Sequence, residues 1–274
     1  MTIRSPHRQL TRRDLALLEA VDRHPFTTDQ LFRLSVTFAE QFTQERLPRR
    51  RLQQLRETGL LQSWTLATVG RGGAPHYWKL TRTGYQWLQG DEIPLPSRRF
   101  FEAIAPGHHH HTRCLGDFLV QTLVAAHRQG IAVRHFAREN SVTLDANGFL
   151  VVPDCAFQLH TPDGRVFHYC VELDNGTERV RSRLDVESIE RKLRGYDAHQ
   201  SQFAALDPGV CDPPVPDAHF ATNTASGRSH SPEVRSTISL PRTASPLSHA
   251  RHASASVATA VVAVAAANNQ PFRS

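Results

Sequence analysis

The sequence lacks an apolar run long enough to cross a membrane, and it has few cysteines and very few lysines. The longest apolar candidate, residues 257–267, is short and rich in Ala and Val, whereas a spanning helix needs about 20 apolar residues. The first thirteen residues are polar and basic and do not resemble a signal peptide. These absences predict a cytoplasmic protein without membrane contact.

Cysteine is scarce, and its four positions show no CxxC spacing: Cys114, Cys155, Cys170 and Cys211. Two of these cysteines, at 155 and 170, fall on neighbouring predicted strands but face opposite sides. A disulfide between them is therefore not expected. This cysteine usage fits a reducing cytoplasm.

The net charge of +6 is unevenly spread along the chain. Residues 1–99 carry sixteen Arg and Lys against nine Asp and Glu, whereas residues 100–206 carry eleven against thirteen. A genome-wide bias towards Arg would explain why thirty of the basic residues are Arg and only two are Lys. It would not explain why the excess of basic residues is N-terminal. A local basic excess is typical of a nucleic-acid-binding module.

Residues 1–90 have the pattern of a winged helix-turn-helix. Thr11 and Thr27 are suitable helix N-caps, and Gly59 is a suitable helix stop. The predicted elements are helices at about 12–23, 28–34 and 47–58, strands at 60–69 and 76–80, and a short helix at 83–88. This order predicts a DNA-binding domain.

The third helix is the predicted reading helix. Its Arg and Gln side chains suit guanine and adenine edges, and Arg also suits phosphates. The predicted DNA contacts, on this helix and on the hairpin tip, are Arg49, Arg50, Gln53, Arg56 and Arg71. Arg51 and Gln54 flank them. A solvated helix face, or a winged helix that contacts proteins, is the alternative interpretation.

A Pro-containing linker, residues 91–107, precedes a predicted second domain, residues 108–206. The four consecutive His residues that open it are interpreted as the polar start of a helix, because adjacent helical residues cannot all bind one metal ion. Residues 184–200 are predicted to form a later helix. Residues 207–274, rich in Pro, Ser, Ala and Thr, are predicted to be a disordered tail. A frame-shifted or degenerate extension would explain its composition.

Three carboxylates lie on two strand-like runs, separated by the turn signal of residues 161–165. The apolar faces of the runs coincide only if Asp154 lies opposite Glu172. A three-residue loop, Pro162–Gly164, gives that register. The two side chains would then be roughly 5 Å apart at Cβ, with Asp174 on the same face roughly 7 Å further along.

Converging carboxylates repel one another, and Mg²⁺ or Mn²⁺ would relieve the repulsion. The pattern therefore predicts a metal site formed by Asp154, Glu172 and Asp174. Acidic residues on a solvated sheet face are the alternative interpretation. Lys192, four residues before Tyr196 on the later helix, is suited to pair with the carboxylates or with a scissile phosphate, or else is a surface lysine.

Residues 11–203 resemble the replication-relaxation proteins of bacteria. The motifs that carry the resemblance are Val-Pro-Asp-Cys at 152–155, Val-Glu-Leu-Asp-Asn-Gly-Thr-Glu at 171–178 and Arg-Lys-Leu-Arg-Gly-Tyr at 191–196. The acidic string at 172–178 is the most specific of them. The resemblance implies a role in plasmid replication, or in the relaxation or mobilisation of plasmid DNA.

The second half also resembles the PD-(D/E)xK nucleases. That resemblance implies Asp154 and Glu172 as metal ligands, and a lysine at the position where this chain has Asp174. Lys192 is placed to substitute for it. The implied fold is α+β: an N-terminal winged helix-turn-helix, then an incomplete restriction-endonuclease-like α/β domain, with Asp154, Glu172, Asp174 and Lys192 catalysing Mg²⁺- or Mn²⁺-dependent nicking.

Three functions stay open at this stage. The first is a DNA-binding protein of the replication-relaxation type that nicks DNA. The second is a non-catalytic winged-helix regulator with an inactive nuclease-like scaffold domain, and the third is a gene remnant without function. The predicted partner is double-stranded DNA, joined by a second copy of the chain or by other DNA-processing proteins.

Overall fold

A computed structural model describes residues 10–67, 75–174, 188–204, 235–236 and 260–268. The chain divides into two compact units, and the boundary falls between Gln129 and Gly130. Both units combine helices with open antiparallel sheets. The described residues therefore form an α+β structure.

The first unit combines helices with a small antiparallel sheet. Its helices are α1 (Arg12–Arg23), α2 (Thr28–Leu34), α3 (Arg46–Glu57), α4 (Arg82–Gln89) and α5 (His109–Arg128). Its strands are β1 (Phe26–Thr27), β2 (Leu61–Thr65) and β3 (His76–Leu80), in the sheet order β1-β3-β2. The helices and the hairpin expected within the first ninety residues are present, and the short strand β1 is an addition.

Local capping explains where the early helices start. The Thr11 side chain accepts a hydrogen bond from the Asp14 backbone, and the Asp14 carboxylate accepts one from the Thr11 backbone at 2.6 Å. Thr27 and Gln30 repeat this capping box on α2. The apolar faces of these elements meet in one core, which includes the fully buried Leu17, Leu18, Phe26, Leu31, Leu52, Leu55, Leu61, Tyr77 and Leu80.

A buried ion pair joins the start of α1 to α3. Asp14 is fully buried, and its carboxylate pairs with the guanidinium of Arg51. Burial alone would raise the pKa of Asp14, but hydrogen bonds from Arg51 and Thr11 hold it below its usual value. Arg51 therefore stabilises the fold and does not belong to the exposed face of α3.

Helix α5 packs within the first unit, although the sequence placed it at the start of the second domain. The Gln30 amide donates to the Arg113 carbonyl at 2.9 Å, and a ring nitrogen of His24 lies 2.8 Å from the Thr112 carbonyl. His109 accepts from the Ala67 backbone at 2.8 Å through Nδ1, and its Nε2 lies 2.9 Å from the Ile104 carbonyl. These contacts place the boundary after α5, at Gln129, and not at residue 107.

The second unit is built on a five-stranded sheet. Its elements are β4 (Ala132–Ala137), β5 (Leu144–Ala146), β6 (Phe149–Val151), β7 (Cys155–His160), β8 (Val166–Asp174), α6 (Ile189–Ala204), β9 (Arg235–Ser236) and β10 (Ala260–Asn268). The strand order is β4-β7-β8-β10-β9, and every pair is antiparallel. Strands β5 and β6 form a separate hairpin. A buried cluster of Ala137, Val142, Leu144, Val151, Ala156 and Tyr196 lies between α6 and the strands.

Two described strands fall in the segment that the sequence predicted to be disordered. Strand β10 pairs with β8 along its whole length, with Val262 opposite Glu172. The sequence did not reveal this strand, because an Ala- and Val-rich run shows no alternation of apolar and polar residues. The rest of residues 207–274, and the predicted helix start at 184–187, lie outside the described residues.

None of the helices in the described part of the chain combines the length and the apolar composition that a membrane crossing requires.

We expect Asp14→Asn to destabilise the protein by roughly 3–5 kcal/mol, because it leaves the partly buried guanidinium of Arg51 without its charge partner. Denaturant unfolding at pH 7 measures this change. The matched control is Asp29→Asn, whose exposed carboxylate pairs with Arg33 at 2.9 Å and should contribute less than about 1 kcal/mol.

The pH dependence gives a second readout of the same pair. Because the pKa of Asp14 is lowered, its stabilising contribution is present above the ordinary pKa of a free Asp and is lost as the pH falls through the lowered pKa. Asp14→Asn should therefore remove part of the acid sensitivity. Equal losses of stability in the two variants would contradict the role assigned to the Asp14–Arg51 pair.

Candidate functional site

The hairpin of β7 and β8 has the register that the sequence predicted. Cys155 pairs with Val171, and the pairing continues to His160 opposite Val166. The Thr161 N–H donates to the Arg165 carbonyl at 2.9 Å, which leaves residues 162–164 as the loop. Gly164, with a φ of +83°, takes the left-handed position that a non-glycine residue would occupy with strain.

Asp154 lies directly before β7, next to the first pair of the β7–β8 ladder, Cys155 and Val171. Its backbone N–H donates to the Val171 carbonyl at 2.9 Å, although Val171 is the register partner of Cys155, so Asp154 departs from the regular ladder. Its carboxylate accepts a hydrogen bond at 2.7 Å from the backbone N–H of Leu173. The backbone of β8 therefore holds the Asp154 side chain beside Glu172.

Helix α6 supplies two hydrogen-bond donors to Glu172. The Tyr196 hydroxyl donates to Oε1 at 2.7 Å, and the Lys192 ammonium donates to Oε2 at 3.0 Å. Glu172 is only 8% exposed, so both of its oxygens are satisfied inside the protein. The structure thus brings together Asp154, Glu172 and Lys192 from the sequence prediction.

Burial and neighbouring charges set the protonation of this cluster. Burial raises the pKa of Glu172, the Tyr196 and Lys192 contacts lower it, and Asp154 raises it by repulsion, so the pKa stays above the ordinary value of 4.5. Burial, followed by the charge of Glu172, raises the pKa of Tyr196. Tyr196 therefore keeps its proton and acts as a donor, not as a phenolate nucleophile.

A glycine lets α6 approach the strands closely enough for these contacts. A Cβ atom added to Gly195 would clash with the Val151 side chain and would lie 3.3 Å from Cβ of Phe149. Gly195 lies between Lys192 and Tyr196 in the sequence, so the close approach and the two contacts to Glu172 depend on the same helical turn.

The donor chemistry of the cluster suits a hard cation only in part. Asp154 and Glu172 offer carboxylate oxygens, the ligand type that Mg²⁺ takes, but both Glu172 oxygens already accept hydrogen bonds. Within the described residues, no group of three His, Cys, Asp or Glu side chains is arranged to hold a metal ion. Asp174 is the last residue of β8, and its side chain lies outside the described part of the chain.

The predicted DNA contacts of α3 lie mostly on its exposed side. Arg49, Arg50 and Arg56 are exposed, and Gln53 is half-buried. The Arg49 guanidinium lies 3.5 Å from the Glu45 carboxylate. Arg71 lies outside the described residues.

Sequence reasoning missed two residues that the structure adds. Arg46 is exposed on the same face of α3, and its position three and four residues before Arg49 and Arg50 was the available signal. The second is Tyr196, whose helical spacing indicates only packing. It is buried, as packing requires, and it also contacts Glu172.

A family model described as replication-relaxation matches residues 15–207 of the chain. No curated protein and no solved structure is similar enough to count as a match.

We expect Gly195→Ala to destabilise the protein by about 1–3 kcal/mol, because the added methyl forces α6 away from Val151. Thermal or denaturant unfolding measures the loss. Gly107→Ala is the matched control, since a Cβ there meets no atom within 4 Å. If Gly195→Ala is as stable as Gly107→Ala, the close approach does not constrain α6.

Proposed function

The chain belongs to the replication-relaxation family, and from this membership we propose that it is a DNA-binding protein that acts on plasmid DNA. Membership indicates a role in plasmid replication or relaxation. The proposed finer function is binding of duplex DNA by the first unit, and metal-dependent nicking by the cluster around Glu172. The proposed place of action is the cytoplasm.

The basic face of α3 is the observation that supports DNA binding. Its exposed arginines are Arg46, Arg49, Arg50 and Arg56. The order of helices α1 to α3 followed by the β2–β3 hairpin is the one a winged helix uses, with the third helix in the major groove. Arg side chains on such a helix bind phosphates and guanine edges. Arg71 is the proposed contact from the hairpin tip.

The placement of the Asp154 carboxylate beside Glu172, on the backbone N–H of Leu173, supports a nuclease-like site. In this proposal Asp154 and Glu172, together with Asp174, would hold Mg²⁺ or Mn²⁺. When bound, such an ion polarises the scissile phosphate and lowers the pKa of a water molecule.

The protein residues have distinct proposed roles around that ion. The Leu173 N–H and the Tyr196 hydroxyl orient Asp154 and Glu172. Lys192 lies 3.0 Å from Glu172 and supplies a positive charge beside the place where a phosphate would gain negative charge.

A second candidate function has its own support. Both oxygens of Glu172 are bonded to α6, so the cluster also serves to fasten the helix to the sheet. In this alternative the second unit is an inactive scaffold, and the protein is a winged-helix regulator. A second copy of the chain or other DNA-processing proteins are the proposed additional partners of either form.

Incubation of the full chain with supercoiled plasmid and Mg²⁺ or Mn²⁺ should produce nicked circles. Asp154→Asn and Glu172→Gln should abolish nicking, because each removes a carboxylate charge, and Lys192→Met should slow it by about 10²–10³. Asp163→Asn is the control, since this exposed carboxylate belongs to the turn of the same hairpin. Intact DNA binding without nicking would favour the regulator.

Arg49→Ala combined with Arg50→Ala should weaken duplex binding and make it less salt-dependent. Each lost phosphate contact should reduce the slope of log K against log salt by about 0.9. Gel shifts at several salt concentrations measure this change. Arg128→Ala, at an exposed position of α5, is the control, and equal losses in the two proteins would argue against α3 as the DNA contact.

A further inference from the structure

On the sheet face that carries Glu172, the next positions towards the hairpin turn are the buried Ala156 and the partly buried Cys170, which pack in the hydrophobic cluster with α6. Beyond them lies a row of basic and polar side chains. Arg134 on β4 pairs with Gln158 on β7, which pairs with His168 on β8. His160 lies two residues beyond Gln158 and therefore on the same face. At the next position in the sheet, β10 carries the uncharged Ala266.

Direct contacts connect these side chains. A ring nitrogen of His160 lies 2.8 Å from the Gln158 side-chain oxygen, and the Gln158 amide nitrogen lies 3.3 Å from a ring nitrogen of His168. The ring of His135 is 6.4 Å from that of His160. We call Arg134, His135, His160 and His168 the histidine row.

The backbone brings an additional basic side chain to this place. His135 has a φ of +47°, in the left-handed region, and lies where the β4–β7 register shifts. Such a bulge redirects side chains. It places His135 beside His160, while Arg134 and His135 stay exposed to solvent.

The histidine row is electrostatically suited to an anion. Burial lowers the pKa of His160, and Arg134, His135 and His168 lower it further. A negatively charged ligand reduces the repulsion between positive groups that lie this close together. Arginine and imidazole N–H groups are good donors to phosphate oxygens.

We propose that the histidine row binds the phosphodiester backbone of a DNA strand. This inference rests on the proposed function. His168 and Glu172 are four residues apart on one face of β8, a separation of about 13 Å. That distance corresponds to about four steps of B-form DNA, which rises 3.4 Å per nucleotide along its helix axis.

A bound phosphate makes protonation of His160 more favourable. His135 and Arg134 from β4 and His168 from β8 are the groups that face His160, and a phosphate offsets their repulsion. Binding is therefore coupled to proton uptake, and the affinity rises as the pH falls from 8 to 6.

The test is calorimetry of the full chain with a single-stranded thymidine tetranucleotide. Titration in two buffers of different ionisation enthalpy measures proton uptake directly. We expect at least tenfold tighter binding at pH 6 than at pH 8. Arg134→Gln should weaken binding and reduce the salt slope by about 0.7, and His160→Gln with His168→Gln should remove the pH dependence. His127→Gln, an exposed position of α5, is the control.

The outcomes separate the histidine row from the nicking site. If the protein binds the tetranucleotide with this pH dependence but does not nick plasmid, the binding role of the histidine row is supported and the proposed nicking activity is contradicted. Binding that is independent of pH, or unchanged in Arg134→Gln, overturns the row even if nicking occurs. Inorganic phosphate is the second probe, and a protein that binds phosphate but not the tetranucleotide overturns the assignment of a DNA strand.

Discussion

The rest of the site in the second unit depends on the carboxylate of Glu172, which links the sheet to helix α6 by two hydrogen bonds beside the apolar cluster. It is buried on β8, and it accepts one hydrogen bond from Tyr196 and one from Lys192. A buried carboxylate without partners is costly, so the helix must lie where these donors reach it. Gly195 permits that position, because any larger residue would meet Val151. The position of the helix and the charge state of the site therefore depend on the same few contacts.

This arrangement explains why one cluster fits two functions. A carboxylate that is held rigidly beside a second carboxylate is a good starting point for metal-assisted hydrolysis. A carboxylate whose oxygens are both occupied is also a stable structural link. The two functions differ in whether the Lys192 ammonium leaves the Glu172 carboxylate when a cation and a phosphate bind.

Sequence patterns predicted the local features well and the tertiary ones poorly. The hairpin register followed from strand alternation and from the loop at 162–164, both of which are local. The role of Tyr196 did not follow, because a residue that packs and one that also donates a hydrogen bond have the same helical spacing. The position of α5 was also missed, since His109 belongs to a polar-looking run and is buried only because both ring nitrogens have partners. Strand β10 lacks any alternation that would identify it.

The pairing of β10 with β8 also means that the C-terminal segment covers an edge of β8. Strand β8 is nine residues long, and its side opposite β7 is covered by β10. Without that cover, a row of backbone amides and carbonyls would be open to strands of other molecules. A shortened protein ending before residue 260 would therefore expose the edge of β8. Association of molecules through that edge would compete with correct folding.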